Sequence, residues 1–341
     1  MITTLDNYDL TDRNTFAMKV RCGVFMEYTT ADDIPFLVSS IRKDIERFHI
    51  GGGSNLLFTG DFPGVVLHSA IRGIEIIDEN PAKVTVRVGA GETMDDFIRW
   101  ACDRSLWGVE NLSGIPGEVG ASAVQNVGAY GTEACDAIVK VHAFDEVEHE
   151  FVSFSNEECE YAYRDSLFKH PDEKKRYIIH AVDYALSPLP TPNLSYPALA
   201  RLFEGKDPAT LTPHDIRKAV IATRNAKLPD PALIPSAGSF FKNPVVSEEH
   251  FEKIREAETD SQVPHYKVDG GYKIPAAWLI DRCGWKGYED GNVAVWHLQP
   301  LVIVNPHRKA TPEEVISLEK KIISSVRERF NINLTPEVEH I

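Results

Sequence analysis

The residues whose types and spacing suit chemistry begin with glycines. GGGSN (51–55) follows strand-like His49-Ile50 and precedes apolar LLF. Consecutive glycines (Gly51, Gly52, Gly53) let backbone N–H groups converge on an anion with no side chain in the way. Ser54 and Asn55 add two side-chain donors. Taken alone, turn statistics favour a simple tight turn here. The stretch NLSGIPGEVGASAVQNVGAYG (111–131) is more informative, because Gly114, Gly117, Gly120, Gly128 and Gly131 lie among small residues with few charges. About 20 residues of that composition are rarely spent on a connection alone, so the stretch predicts a backbone surface pressed along a flat or extended ligand. Neither the dinucleotide fingerprint G-x-G-x-x-G nor a phosphate loop ending in Lys-Ser/Thr is present, and Rossmann and nucleotide-hydrolase folds lose support.

Three side chains outside the glycines could react. YAYRDSLFK (161–169) sets Arg164 and Ser166 two apart; in an extended segment both face the same way. An arginine fork suits a carboxylate, although a solvated surface arginine accounts for the residue equally well. AGSFFKNP (237–244) places Ser239 between Gly238 and two aromatics, with Lys242 nearby. That setting suits proton delivery to a developing carbanion, but alone it reads first as a buried structural serine. PEVEHI (336–341) offers Glu337 in a terminal segment that otherwise reads as a frayed tail. The 12 histidines show no H-E-x-x-H or comparable spacing, which predicts no metal.

The elements that must position these residues read as an α+β pattern. Thr30 and Asp33 make a capping-box-like start, and Ile34, Leu37, Val38, Ile41 and Ile45 fall at helical spacing, predicting a helix over 31–48. VVL (65–67), IEII (74–77) and 83–88 read as strands. Thr93 and Asp96 cap a helix carrying Met94, Phe97, Ile98 and Ala101 on one face. VKVHAF (139–144) and YIIHAVDYAL (177–186) are strand-like, and the Pro-rich 187–197 reads as an irregular connection or a flap. Thr212-Pro213 with Asp215 starts a helix that must stop before Pro229, and 227–244 lacks helical periodicity. LVIV (301–304) reads as a strand. Thr311, Pro312 and Glu314 open a last helix buried on Val315, Leu318, Ile322 and Val326. Regular β-then-helix alternation is too sparse for a doubly wound sheet.

The whole chain bounds the answer. Its 341 residues suffice for two or three domains. A net charge of -15 argues against a general nucleic-acid binder, while an anionic ligand needs only a local gathering of Lys and Arg. Five scattered cysteines without C-x-x-C predict neither a disulfide framework nor a structural zinc. There is no apolar signal core and no run of about 18 apolar residues, so a cytoplasmic, non-membrane protein is expected. The sequons at Asn111 and Asn193 then carry no meaning.

In order along the chain, NTF (14–16), GGGSNLLF, SGIPGEVGASAVQNVGAYG, YRDSLFK, KLPDP, GSFFKNP, IPAAWLIDRCGWKG (274–287), HLQPLVIVN (297–305) and PEV together resemble the UDP-N-acetylenolpyruvoylglucosamine reductase family, flavin enzymes of bacterial peptidoglycan precursor synthesis. The correspondence covers nearly the whole chain. The resemblance implies a vanillyl-alcohol-oxidase-type fold in which two α+β domains hold non-covalent FAD and a third α+β domain closes over the substrate. The implied division is 1–70, 71–222 with 331–341 returning near the active site, and 223–330. It also implies that NADPH reduces the FAD and leaves, and that the enolpyruvyl ether of UDP-N-acetylglucosamine is then reduced to UDP-N-acetylmuramate.

Carried over residue by residue, the resemblance makes Arg164, Ser239 and Glu337 catalytic. It assigns FAD to Gly51, Gly52, Gly53, Ser54, Asn55, Gly114, Ile115, Pro116, Gly117, Gly120, Ala121, Gln125, Asn126, Gly128, Ala129, Tyr130 and Gly131. The UDP-sugar falls to Lys227, Asn243, Lys286 and Gln299, with Tyr196 on the flap of the family's longer branch and Tyr266 closing the same pocket. A monomer is implied. The chain departs from the pattern in its tail, Glu339-His340-Ile341, and in SYPAL (195–199) around the flap tyrosine. The rival readings are an oxidase of the same fold with a tethered flavin, for which only His49 and His68 lie near the first glycine loop, and a non-catalytic flavin or nucleotide-sugar binder.

Overall fold

A computed structural model describes residues 1–170, 173, 175–258 and 262–341. It separates into two compact units. One comprises Met1–Tyr8, Arg21–Gly52 and Phe62–Arg224; the other comprises Asp9–Val20, Gly53–Asp61 and Asn225–Ile341.

The first unit holds two principal sheets. The four-stranded sheet runs in the order Ile2–Asp9, Arg21–Tyr28, Phe62–Ser69, Arg47–Ile50. Its Phe62–Ser69 strand is parallel to both Arg21–Tyr28 and Arg47–Ile50, and its nearly continuous burial explains the unbroken apolar VVL. Helix Asp33–Ser40 packs Ile34, Leu37 and Val38 with Met26, Tyr28, Val65 and Leu67. The five-stranded sheet is antiparallel in the order Glu150–Ser155, Ile138–Asp145, Tyr177–Leu186, Lys83–Gly89, Ile74–Asn80. Helix Met94–Asp103 buries Phe97, Ile98 and Ala101 with Val84, Val86 and Val88, and Thr93 caps it by accepting from the Asp96 N–H. Past the Pro-rich segment, helices Pro197–Leu202 and Pro213–Asn225 enclose Leu199, Phe203, Ile216 and Val220 around Trp107.

The second unit has a four-stranded sheet, Ser236–Ser239, Val302–Val304, Val293–Val295, Glu289–Asp290. A three-stranded sheet, Val245–Val246, Gly271–Lys273, Tyr266–Val268, accompanies it. Helix Pro312–Phe330 starts with both halves of the Thr311/Glu314 capping box formed. The C-terminal strand Glu339–His340 pairs in parallel with Leu56–Leu57. The Ile341 carbonyl accepts from the Thr59 N–H and hydroxyl at 2.8 and 2.7 Å, so this tail is anchored rather than frayed.

The helix expected over 31–48 is shorter than its periodicity suggests. It ends at Ser40, where Ile41 turns extended (φ -95°, ψ 126°). Ile45 keeps the spacing but stands 37% exposed, and Arg47–Ile50 is instead drawn into parallel pairing with Phe62–Ser69. Tertiary pairing outweighs local pattern there. Strands Ile2–Asp9, Arg21–Tyr28 and Glu150–Ser155 and helices Glu248–Ala257 and Ala276–Arg282 add to the expected set. All five cysteines are unpaired. Among the described residues no helix is long and apolar enough to cross a membrane, and no group of His, Cys, Asp and Glu could hold a metal.

His49, next to the first glycine loop, has a measurable consequence. Burial, reinforced by the charges of Arg47 and His68, lowers its pKa to about 3. Below an unfolded value of about 6.5 the unfolded chain takes up a proton that the native chain refuses, so stability falls on acidification by up to about 1.4 kcal/mol per pH unit. Denaturant melts at pH 6.5 and 5 are expected to show a drop in wild type that is smaller in His49→Leu by about 1–2 kcal/mol; equal drops would contradict this.

Candidate functional site

The two glycine-rich stretches meet within the first unit. A Cβ on Gly51 would stand 2.9 Å from the Ala121 Cβ, and one on Gly52 would stand 3.1 Å from the Gly117 Cα. A side chain at Gly51 would force its neighbour to shift, and one at Gly52 would fit only tightly. The second stretch has regular structure of its own. It contains helix Val119–Gln125, ended by Asn126 in the left-handed region (φ 44°), and a small hairpin, Gly128–Ala129 with Thr132–Glu133. Tyr130 and Gly131 form its turn, both with positive φ. Gly114 donates its N–H to Asp95 at 2.6 Å, Gly117 accepts from the Met94 N–H, and Gly120 donates to Ala90. Ile115 packs on the core of the five-stranded sheet.

Arg224, which the sequence did not single out, donates from Nε to the Gly114 carbonyl at 3.1 Å. Burial holds its guanidinium below the usual arginine range, while Tyr130 and Asp95 oppose that shift. It places a cation against the second glycine stretch on an otherwise acidic chain. No sequence motif marks it, because it lies at the end of an otherwise ordinary amphipathic helix.

Arg164 does not lie in an extended segment. It sits in a turn closed by reciprocal bonds between Ala162 and Asp165, with φ 56°. Its guanidinium donates to the Gly128 carbonyl at 2.5 Å and the Asn126 carbonyl at 3.4 Å, and Glu133 lies 3.8 Å away. Ser166 is fully buried and donates to the Val124 carbonyl at 2.6 Å, a structural role separate from Arg164. A Cβ on Gly128 would stand 2.9 Å from Arg164 Nη1 and 2.9 Å from Glu133 Cγ. Gly128→Ala is therefore expected to displace the guanidinium and raise the KM for a carboxylate-bearing substrate roughly tenfold, about 1.4 kcal/mol. An unchanged KM in the purified variant would show that the seat is not needed.

In the second unit, Ser239 and Glu337 lie on neighbouring segments. Ser239 pairs with Val302, the next residue Phe240 accepts from the Glu337 N–H at 2.8 Å, and Phe241 bridges Pro336. Both Ser239 and Glu337 are half-buried. The Glu337 carbonyl accepts from Asn55 Nδ2 at 3.1 Å, so GGGSN and PEV are tied together. Thr15 of NTF completes the knot: its N–H donates to the Gly53 carbonyl and its hydroxyl to the Ser236 carbonyl at 2.7 Å. Asn14 beneath it is buried and bonded to Leu10 and Met18.

The remaining candidates are dispersed. Tyr196 precedes helix Pro197–Leu202 and packs edge-on against Tyr130 at 5.0 Å. Exposed Lys227 accepts at its carbonyl from Trp296 Nε1. Exposed Lys286 is 3.8 Å from Asp281, and the following Gly287 abuts His297, two residues before Gln299. Asn243 Oδ1 accepts from the Ala276 N–H and so holds the start of helix Ala276–Arg282. Tyr266 stands 52% exposed in the outer strand of the three-stranded sheet.

The residues present fit a flavin. The close glycine contacts leave backbone rather than side chains along both loops. Gln125 accepts from Lys169 at Oε1, but its buried Nε2 has no partner among the described residues. Leaving such a donor unmet costs about 1–3 kcal/mol, which an acceptor on a ligand would relieve.

Comparison with known proteins agrees. Residues 24–148 match the FAD binding domain family, and residues 230–341 match the family described as UDP-N-acetylenolpyruvoylglucosamine reductase, C-terminal domain. The chain is 45% identical to the UDP-N-acetylenolpyruvoylglucosamine reductase of Porphyromonas gingivalis over 336 residues, covering 98% of each chain. It is 45% identical to that of Bacteroides fragilis over 335 residues, covering 98% of this chain and 99% of the relative. The reductase of Chromobacterium violaceum is 41% identical over 332 residues, 96% of each. The crystal structure of the reductase from Thermus caldophilus shares the fold (TM-score 0.67, 21% identity, 100% of this chain and 98% of the other). The α+β architecture and the FAD cofactor expected from the sequence hold.

Proposed function

Because the chain belongs to the UDP-N-acetylenolpyruvoylglucosamine reductase family, we propose that it reduces UDP-N-acetylglucosamine enolpyruvate to UDP-N-acetylmuramate with NADPH, as a cytoplasmic monomer serving peptidoglycan synthesis. The chemistry that FAD supplies when bound is two-electron hydride transfer, first from NADPH and then to the terminal alkene carbon. The glycine loops 51–55 and 114–131 hold it, with Gln125 as a polar anchor. In this reading 1–70 and 71–222, with 331–341, form the cofactor side, and 223–330 forms the substrate side.

Arg164 grips the substrate carboxylate and polarises the alkene. As the alkene is reduced, negative charge gathers beside that carboxylate, and the Arg164 guanidinium stabilises it. Glu337 orients this group. Ser239 donates its hydroxyl proton to the adjacent carbon, so one hydride and one proton add across the double bond. Lys227, Asn243, Lys286 and Gln299 bind the UDP moiety, and Tyr196 and Tyr266 cover it.

The observation that carries this reading is the pairing of PEV with GSFF. The bond from the Glu337 N–H to the Phe240 carbonyl sets the acid and the serine on adjacent backbone. Incubation with NADPH and the enolpyruvyl substrate, followed by mass spectrometry, is expected to show a product two hydrogens heavier. Recovery of unchanged substrate with FAD-replete protein would refute it.

A further inference from the structure

An imidazole set between two carboxylates, buried except for a partly exposed Glu27, lies beside the cradle. His68 Nδ1 is 2.8 Å from Glu27 Oε2, and Nε2 is 3.0 Å from Glu118 Oε1. His68 is 4% and Glu118 8% exposed. Two contacts of this kind need two hydrogens, whereas a neutral imidazole with two carboxylates brings one. The cluster therefore holds one extra proton, and the imidazole, with nitrogens on opposite ring edges, spans the two carboxylates.

Its position gives the cluster a task. His68 sits on strand Phe62–Ser69, in register with Glu27 on one side and with Ile50 on the other, and Ile50 immediately precedes Gly51. Glu118 sits between Gly117 and helix Val119–Gln125 and bridges Thr93. The bond from His68 to Glu118 thus joins the strands that project the first glycine loop to the second loop. Glu118 Oε2 lies 3.5 Å from where a Cβ on Gly51 would be. Burying such ions is costly, and apolar residues would pack as well; the best-attested return is a fixed register.

We propose that Glu27, His68 and Glu118 form a strut that fixes the separation of the two glycine loops, making His68 and Glu118 positioning residues for the flavin. This rests on the reading that those loops bind FAD. Without the strut the loops must be ordered by the ligand itself, and affinity falls. Simple electrostatics predicts the opposite sign, since removing the Glu118 carboxylate from beside a pyrophosphate would tighten binding.

The test is titration of apoprotein with FAD, followed by quenching of flavin fluorescence, with circular dichroism confirming the fold. Wild type must bind FAD; if it does not, the assignment of the loops fails before the strut is in question. Glu118→Ala is expected to weaken FAD binding at least tenfold. Glu118→Gln, which keeps an acceptor for His68, should stay within about threefold of wild type. His68→Gln should weaken binding as Glu118→Ala does, and the double variant should be no worse than the weaker single. The Glu118 pair decides the matter even where His68→Gln does not fold. Wild-type or tighter binding by folded Glu118→Ala overturns the proposal, as do additive losses in the double variant.

Discussion

Ser239→Ala is expected to leave bleaching of the flavin by NADPH within about twofold of wild type while slowing its recovery with the enolpyruvyl substrate by roughly 10²–10⁴-fold, the usual worth of a positioned general acid. The hydroxyl is the only part of the side chain lost, and the backbone around it is fixed independently. Ser239 pairs with Val302, Phe240 is bonded at N–H to Leu301 and at C=O to Glu337, and the Ser236 carbonyl is held by Thr15. The substitution should therefore leave the fold and the cofactor unchanged. Single-turnover absorbance on the anaerobic, prereduced protein reads the effect directly. Recovery at the wild-type rate would remove Ser239 from the proton-donor role.

Arg164→Lys is expected to cost roughly 10²–10³-fold in the same half-reaction, as losing one charge-stabilising donor does elsewhere. The charge survives this change, but the fork does not. Lysine cannot reach both the Gly128 and Asn126 carbonyls while presenting a planar pair of donors to a carboxylate. The loss should appear in both KM and the rate of recovery, with bleaching by NADPH unaffected. A lysine variant of near-wild-type efficiency would show that a point charge suffices, and the carboxylate fork would have to be abandoned.

Much of the frame was legible in the sequence where local signals agree with the final packing. Helices Met94–Asp103, Pro213–Asn225 and Pro312–Phe330 carry caps and apolar faces that packing later uses. Tyr177–Leu186 is long, apolar and β-branched, and it forms the strand expected. The failures have physical causes. The 31–48 helix overran because its periodicity persists through a segment that sheet pairing claims. The helix Val119–Gln125 is hidden among small residues that signal no face.

The candidate site divides in the same way. Its residue types were legible, but the bonds that seat them were not. Arg164 occupies positive φ without being glycine, which no local pattern announces. Glu337 and Phe240, or His68 and Glu118, are joined across long stretches of chain. Arg224 was missed because its link to Gly114 depends on where a whole helix lands.

This member of an FAD-dependent reductase family is expected to use its flavin to pass reducing equivalents from NADPH to an enolpyruvyl UDP-sugar. Anaerobic absorbance of the purified protein tests it most directly. The visible flavin band should bleach on adding NADPH and return on adding UDP-N-acetylglucosamine enolpyruvate, with no oxygen present. A band that bleaches but returns only when oxygen is admitted, or that never bleaches, would contradict the account.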